Sequence, residues 1–312
     1  MVQTRPLKPK IVLICGPTGV GKSAVALKLA ETVGGEIVVA DSQAVLKGFD
    51  IGTAKPSSEE RASVPHHLID VAKFGEIFDA ARFAGLAEKA VEGILQRGKV
   101  PIVSGGTGLY LKALFYGLMD APGRDDLFRK KMEARMGKEG VQSLYEELKA
   151  ADPARAAEIH PHDVLRIIRA LEIHHLGGTP PSSLQAKHRF REAKYHALKI
   201  GLRRPTEELS RRIDERVLAM LNHGWMEEVK HLMASGVDFI EGKTQTIGYP
   251  TLARVALGDM FLKDAIGEIQ KETRRLAKRQ MTWFRADKEI RWFHPDQWED
   301  ILKGVHEFLS PA

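Results

Sequence analysis

The chain has 312 residues, 43% of them hydrophobic, enough to build one large or two smaller units around a sizeable core. Its longest apolar runs are about five residues, against the roughly 20 that a membrane span needs, and its single cysteine, Cys15, excludes an internal disulfide or a multi-cysteine zinc site. A net charge of +6 is compatible with a polyanionic partner without demanding one.

The basic N-terminal stretch MVQTRPLKPK leads into IVLIC (11–15), which is too short for a signal-peptide core, so a cytoplasmic protein is expected. IVLIC is the first predicted strand, with Cys15 read as a small core residue. It runs into GPTGVGKS (Gly16, Pro17, Thr18, Gly19, Val20, Gly21, Lys22, Ser23) and then a helical pattern. Gly, four residues, then Gly-Lys-Ser is a phosphate-cradling loop. Its backbone N–H groups point inward and a helix N-terminus adds positive potential.

The second strand, EIVVA (36–40), ends at Asp41. The third, VPIVS (100–104), runs into GGTG with no acid at its end. An ATP-hydrolysing enzyme of this kind normally has an acid on a second strand to help hold magnesium. Here the site offers Lys22 and Ser23 for phosphate and magnesium, with Asp41 set opposite. That suits a group transfer in which a carboxylate holds a nucleophile, although Asp41 and Thr107 also read as turn residues. His66 and His67 are adjacent, project differently and lack an obvious third ligand, so a hydrogen-bonded loop role is expected rather than a metal site. Lys55 in IGTAKPS reads equally well as merely solvated.

From about Pro122 to Lys194 no strand pattern appears. DDLFRKKMEARM, VQSLYEELKAAD and DVLRIIRALEIHHLGG read as helices, broken by GGTPPSS. Residues 122–195 are therefore expected as a helical insertion in a core formed by 1–121 and 196–312. The fourth strand is HALKIGL (196–202) and the fifth EIRWF (289–293). Strands alternating with helices predict an α/β fold: a P-loop NTPase-like parallel sheet flanked by helices, plus the insertion. Ligands of such sheets bind outside the carboxyl ends of the strands. After the fourth strand, TEELSRRIDERVLAMLNHG is a long amphipathic helix with Thr206 as expected N-cap and Gly224 as terminator.

The stretch IQKETRRLAKRQMTWFR (269–285) places Lys271, Arg274, Arg275, Lys278, Arg279 and Arg285 within a helical arc of about 140°. Ile269, Thr273, Leu276, Gln280, Trp283 and Phe284 fall opposite. Between 270 and 291 there are eight basic residues against three acids, an imbalance that favours a nucleic-acid backbone over a mixed solvated face. Arg166 and Arg169, at i and i+3, are either a second contact or part of a salt-bridged core helix.

GPTGVGKS, DSQAVLKGFDIGTAKPS, VPHHLIDV, GGTGLYLKAL, DVLRIIRALEI, TIGYPTL and TRRLAKRQMTWFR occur in this order. Together they resemble the tRNA dimethylallyltransferases, or tRNA isopentenyltransferases, over about residues 9–293. The resemblance implies transfer of a dimethylallyl group from dimethylallyl diphosphate to the exocyclic amine of the adenosine just 3′ of the anticodon. It implies Mg²⁺ as cofactor, held partly by Ser23, and an anticodon stem-loop as partner. Asp41 and Thr107 match the family's catalytic residues, and the loop 16–23 would hold diphosphate with either Arg212 or Arg216.

By the same resemblance, tRNA contacts are expected from Ser42, Gln43, Arg129, Arg166 and Arg169. Further contacts fall on Gln245, Thr246, Ile247, Gly248 and Tyr249, and on Lys278, Arg279, Gln280, Trp283 and Arg285. A monomer is expected. Many members read Asp-Ser-Met-Gln-Val-Tyr where this chain has DSQAVL, so Ala44 and Leu46 replace the usual Gln and Tyr. Pro250 stands where a polar residue is commoner, and one cysteine cannot build the zinc finger of eukaryotic members, which implies a bacterial type. The rival readings are an adenylate isopentenyltransferase acting on a free nucleotide, a P-loop kinase or ATPase, and a non-enzymatic RNA-binding protein.

Overall fold

The computed structural model describes residues 8–188, 192–240 and 246–311. Six strands, β1 (Lys10–Cys15), β2 (Gly35–Val39), β3 (His66–His67), β4 (Val100–Gly105), β5 (His196–Leu202) and β6 (Arg291–Phe293), form one sheet in the order β3-β2-β4-β1-β5-β6. Every neighbouring pair is parallel. β1 lies inside the sheet because five of its six residues are apolar and buried, as a strand covered on both faces requires. Val12 pairs with Ile102 on one side and Leu198 on the other. Cys15 closes this strand, fully buried, and burial pushes its thiol up to about 12.

Between the strands run α1 (Lys22–Val33), α2 (Ser58–Ser63), α3 (Ala80–Gln96) and α4 (Gly108–Tyr116). β3 is a sixth strand that the apolar pattern missed, because it is two histidines long. His67 Nε2 lies 2.7 Å from Glu36 Oε2, and His66 Nδ1 2.8 Å from the Val64 carbonyl oxygen. These bonds fasten a polar pair at the sheet edge.

The chain divides into two compact units, Met1–Phe115 with Lys194–Ala312, and Tyr116–Ala193. The second unit is entirely helical among the described residues: α5 (Asp126–Glu139), α6 (Val141–Ala151), α7 (Pro153–Glu158), α8 (Val164–Gly177) and α9 (Pro181–His188). It has its own core of Met132, Leu144, Leu148, Ile167, Ile168 and Leu171. α7 and α9 went unpredicted because each is under nine residues and opens on proline, which a helix accepts only at its start.

The first unit resumes with α10 (Thr206–Asn222), α11 (Trp225–Ala234), α12 (Tyr249–Leu257), α13 (Leu262–Arg285) and α14 (Trp298–Leu309). α1 and α14 join the sheet in one apolar cluster with Val12, Ile14, Ile102 and Ile200. α10 to α13 build a second cluster around Trp225, Tyr249, Leu252 and Ile269. Thr206 is not the cap of α10: Pro205 holds that position and no side chain bonds there. Gly224 ends α10 as expected, in the left-handed conformation at φ +96° directly after the C-cap His223, and also caps the start of α11. No helix among the described residues is long and apolar enough to cross a membrane.

Candidate active site

β2, β4 and β1 are successive neighbours, so the segments after their carboxyl ends lie side by side. These are the phosphate loop, Asp41 with its followers, and the Gly-Gly-Thr-Gly turn. β4 ends at Gly105 without an acid.

The phosphate loop is held from several directions. Gly19 and Gly21 adopt φ of +79° and +109°, where an L side chain would be strained. Arg204, just beyond β5, donates through Nε to the Val20 carbonyl at 3.0 Å. Arg212 on α10 donates through Nε to the Gly19 carbonyl at 3.1 Å. The Thr18 N–H donates to Gln280 Oε1 on α13 at 2.8 Å. Lys22 folds back so that Nζ donates to the Pro17 carbonyl at 2.8 Å. Ser23, in the first turn of α1, is exposed.

Asp41 follows β2, and its Oδ1 accepts the Gln43 N–H at 2.8 Å. Thr107 Oγ1 accepts the Ser42 N–H at 3.0 Å, and the Thr107 N–H donates to the Ala40 carbonyl at 3.2 Å. Thr107 thus fixes the backbone on both sides of Asp41. Burial lowers the Lys22 ammonium to about 8, with the Asp41 charge pulling the other way and Arg216 adding to the fall. Arg216 responds in the same sense: burial lowers it and Asp41 opposes. Asp41 therefore lies within electrostatic reach of both cations. Arg216 makes no hydrogen bond or ion pair among the described residues, whereas Arg212 is already tied to the loop. A carboxylate thus lies within electrostatic reach of two cations beside a phosphate loop, an arrangement that can bind a polyphosphate and hold a proton acceptor near it.

A family profile described as IPP transferase matches residues 44–287. The tRNA dimethylallyltransferase of Syntrophobacter fumaroxidans is 49% identical over 91% of this chain and 83% of its own length. That of Geobacter metallireducens is 46% identical over 96% and 98%. The crystal structure of the tRNA isopentenylpyrophosphate transferase from Bacillus halodurans superposes with a TM-score of 0.71 at 37% identity, covering 97% of both chains. A eukaryotic dimethylallyltransferase acting on tRNA gives a TM-score of 0.75 at 32% identity, over 88% of this chain and 69% of that one. The chain belongs to the tRNA dimethylallyltransferase family.

The remaining residues that the family resemblance marks fall into two groups. Lys278, Arg279 and Arg285 project from α13 into solvent with no ion-pair partner among the described residues. Arg166 is 62% exposed, its Nε 3.4 Å from Asp163. Ser42 and Gln43 adjoin Asp41, Gln43 Nε2 lying 3.4 Å from Ser42 Oγ. Thr246 and Ile247 border a cleft of about 370 Å³ that Arg254, Arg275 and Arg279 also line.

Others already have partners within the protein. Arg129 is bidentate to the fully buried Glu172, at 2.7 and 2.8 Å. Arg169 bonds Glu172 at 2.5 Å and the Pro122 and Gly123 carbonyls at 2.7 and 3.1 Å. Of the two readings left open for Arg166 and Arg169, Arg169 is thus a core ion-pair residue and Arg166 a surface one. Arg129 and Arg169 hydrogen bonds hold the Glu172 carboxyl down at about 2 against the effect of its burial. Tyr249 is fully buried, and its hydroxyl donates to Glu228 Oε1 at 2.7 Å. Gln280 has both amide atoms engaged inside the protein. Trp283 is 43% exposed, with its ring against Gly108. Gln245 lies outside the described residues.

Two residues were missed for function because their partners are distant in sequence. Glu228 accepts the N–H groups of Asp50, Ile51 and Gly52 at 2.9, 2.8 and 3.3 Å, besides the Tyr249 hydroxyl. Lys55 is not solvated: its side chain is 1% exposed and its ammonium bonds the Leu46 carbonyl, Asp50 and Asp70 at 2.5, 2.7 and 2.5 Å. The Asp-Ile-Gly-Thr-Ala-Lys signature is therefore a clasp that shapes the segment following Asp41.

Proposed function

We infer that this chain transfers the dimethylallyl group of dimethylallyl diphosphate to the exocyclic amine of the adenosine 3′-adjacent to the anticodon in tRNA, releasing diphosphate. The observation that carries the reading is the placement of the phosphate loop, Asp41 and the Thr107 turn at the carboxyl ends of the successive strands β1, β2 and β4, with Thr107 holding the backbone on both sides of Asp41, while the strand end used by ATP-hydrolysing enzymes carries Gly105 and Gly106.

In the reaction the bond from the transferred carbon to the diphosphate oxygen breaks, and that oxygen keeps the electron pair. Lys22, Arg216 and the loop N–H groups neutralise the charge that develops there. The adenine nitrogen forms the new bond to carbon. Its lone pair is delocalised into the ring, so the amine is a weak nucleophile, and Asp41 accepts its departing proton. The target base must leave its stack to reach this site.

The donor set fits Mg²⁺: the Ser23 hydroxyl is exposed beside the loop, and such an ion keeps several waters and binds mainly through substrate phosphates. When bound, the ion would add charge neutralisation on the leaving group. Lys278, Arg279, Arg285 and Arg166 are the tRNA phosphate contacts in this reading. The reading takes the enzyme as a monomer acting in the cytoplasm.

The test is incubation with dimethylallyl diphosphate, Mg²⁺ and an anticodon stem-loop, followed by nucleoside mass spectrometry. Prenylated adenosine in the loop supports the reading. Product on AMP but not on the stem-loop would favour the free-nucleotide enzyme, and a strict requirement for ATP would favour a kinase or ATPase.

A further inference from the structure

Gln280 lies on the cation-bearing helix α13, yet its amide points inward. Oε1 accepts the Thr18 N–H at 2.8 Å and Nε2 donates to the Gly106 carbonyl at 3.0 Å. The two bonds join the phosphate loop to the Gly-Gly-Thr-Gly turn. That turn is fitted to the helix. A Cβ on Gly106 would overlap the Gln280 amide, and one on Gly108 would overlap the Trp283 ring, one helical turn further along. Between these glycines stands Thr107, whose Oγ1 holds the Ser42 N–H and with it the backbone beside Asp41.

One side chain therefore connects the loop for the leaving group with the strip that presents the proton acceptor. Serving an N–H and a carbonyl at once takes a neutral group with one acceptor and one donor in a fixed plane, which is what a carboxamide offers. We propose that Gln280 is a positioning residue that sets the spacing between the phosphate loop and the Thr107–Ser42–Asp41 strip. The proposal rests on the transferase reading above. Both polar atoms of the Gln280 amide are engaged within the protein. The residue acts because the attacking nitrogen, the transferred carbon and the leaving oxygen must be aligned, and a misplacement of about 1 Å costs on the order of 10²-fold in rate.

The experiment compares wild type, Gln280→Ala and Gln280→Glu with dimethylallyl diphosphate, Mg²⁺ and an anticodon stem-loop. Single-turnover rate, donor KM, stem-loop Kd at several salt concentrations, and melting are measured. Gln280→Ala is expected to lower the single-turnover rate roughly 10–100-fold. Donor KM and stem-loop Kd stay within about threefold of wild type, and the salt dependence of Kd is unchanged, since no phosphate contact is lost. In Gln280→Glu the introduced carboxyl still accepts the Thr18 N–H but opposes the Gly106 carbonyl until it is protonated. Its rate relative to wild type should therefore recover as pH falls from about 8 to about 6.

A folded Gln280→Ala variant with wild-type rate overturns the proposal. So does a loss confined to stem-loop affinity with a flattened salt slope, which would make Gln280 a tRNA contact. If the Ala variant does not fold, the pH recovery of Gln280→Glu decides, and its absence overturns the proposal. A wild-type protein that makes no product sinks the transferase reading instead. The bridge is then judged in the substrate-free protein, where Gln280→Ala should expose the Thr18 amide to hydrogen exchange about tenfold. Unchanged protection overturns it.

Discussion

Asp41 is constrained both through its backbone neighbours and through one of its carboxylate oxygens. Thr107 pins Ser42, and one Asp41 oxygen accepts the Gln43 N–H. Asp41→Asn keeps the shape but cannot take a proton. It should lower the single-turnover rate by roughly 10²–10⁴ while donor and tRNA affinities hold; a near wild-type rate would remove Asp41 from the role of base. Lys22 gives a pH signature. Its ammonium is lowered to about 8, so in the donor-free protein the cation is complete below that pH and disappears as pH rises through it. In the proposed reaction diphosphate binds the cation. Donor KM should therefore be flat below about pH 8 and climb above it, up to about tenfold per pH unit in the limit. KM measured from pH 6.5 to 9.5 checks this, and a flat profile would mean that the loop N–H groups carry the binding without Lys22.

At the scale of elements, α13 combines two tasks on one cylinder. Ile269, Ala277 and Phe284 are buried, Gln280 and Trp283 meet the turn after β4, and Lys278, Arg279 and Arg285 are exposed. Replacing those three cations with Ala should weaken stem-loop binding while leaving donor KM unchanged. The slope of log affinity against log salt should flatten by at most about 0.9 per lost contact, or about 0.7 for single-stranded loop contacts. The helix should persist, since its docking face is intact and Ala is a good helix former. An unchanged slope in a folded variant would move the tRNA contact elsewhere. The helical period made part of α13 legible in the sequence: Ile269 and Phe284 are buried and Lys278, Arg279 and Arg285 exposed as expected, whereas Arg274 pairs with Asp214 of α10 and Trp283 is 43% exposed. The phosphate loop, the long strands and Asp41 were legible for a similar reason, because each is a local pattern. Lys55, Glu228 and the inward role of Gln280 were not. Lys55 reaches Asp70, 15 positions away, Glu228 reaches Ile51, 177 away, and Gln280 reaches Thr18, 262 away. A periodicity reading has no access to such pairings. The inward partners of Tyr249 and Arg129 were not legible either: a motif marks a residue as required without saying whether it faces a ligand or the core.

At the scale of the whole molecule, each unit has its own interior, and the helical one contains a buried charge. Glu172 is fully buried against Arg129 and Arg169, its carboxyl held at about 2. A depressed carboxylate stabilises fully above its ordinary pKa and loses that contribution as pH falls. The window here runs from about 4.5 down to about 2 and spans on the order of 3 kcal/mol. The hydrogen-exchange protection of α8, taken relative to the intrinsic rate at each pH, should fall across that window. Glu172→Ala should remove the dependence and, by leaving two arginines facing a buried gap, destabilise the unit by about 3–5 kcal/mol at neutral pH. A pH-independent α8 would show that the ion cluster adds nothing to stability.

The sole cysteine gives the molecule a use at the bench. Cys15 is sealed at the end of β1 and its thiol stays protonated well past neutral pH, so it offers almost no thiolate to an electrophile. A maleimide or disulfide reagent should leave the native protein untouched and react at one equivalent only when the sheet opens, so the rate of modification reports global unfolding. For the same reason a fluorophore can be attached through a cysteine engineered at exposed Lys278 without first deleting the native one.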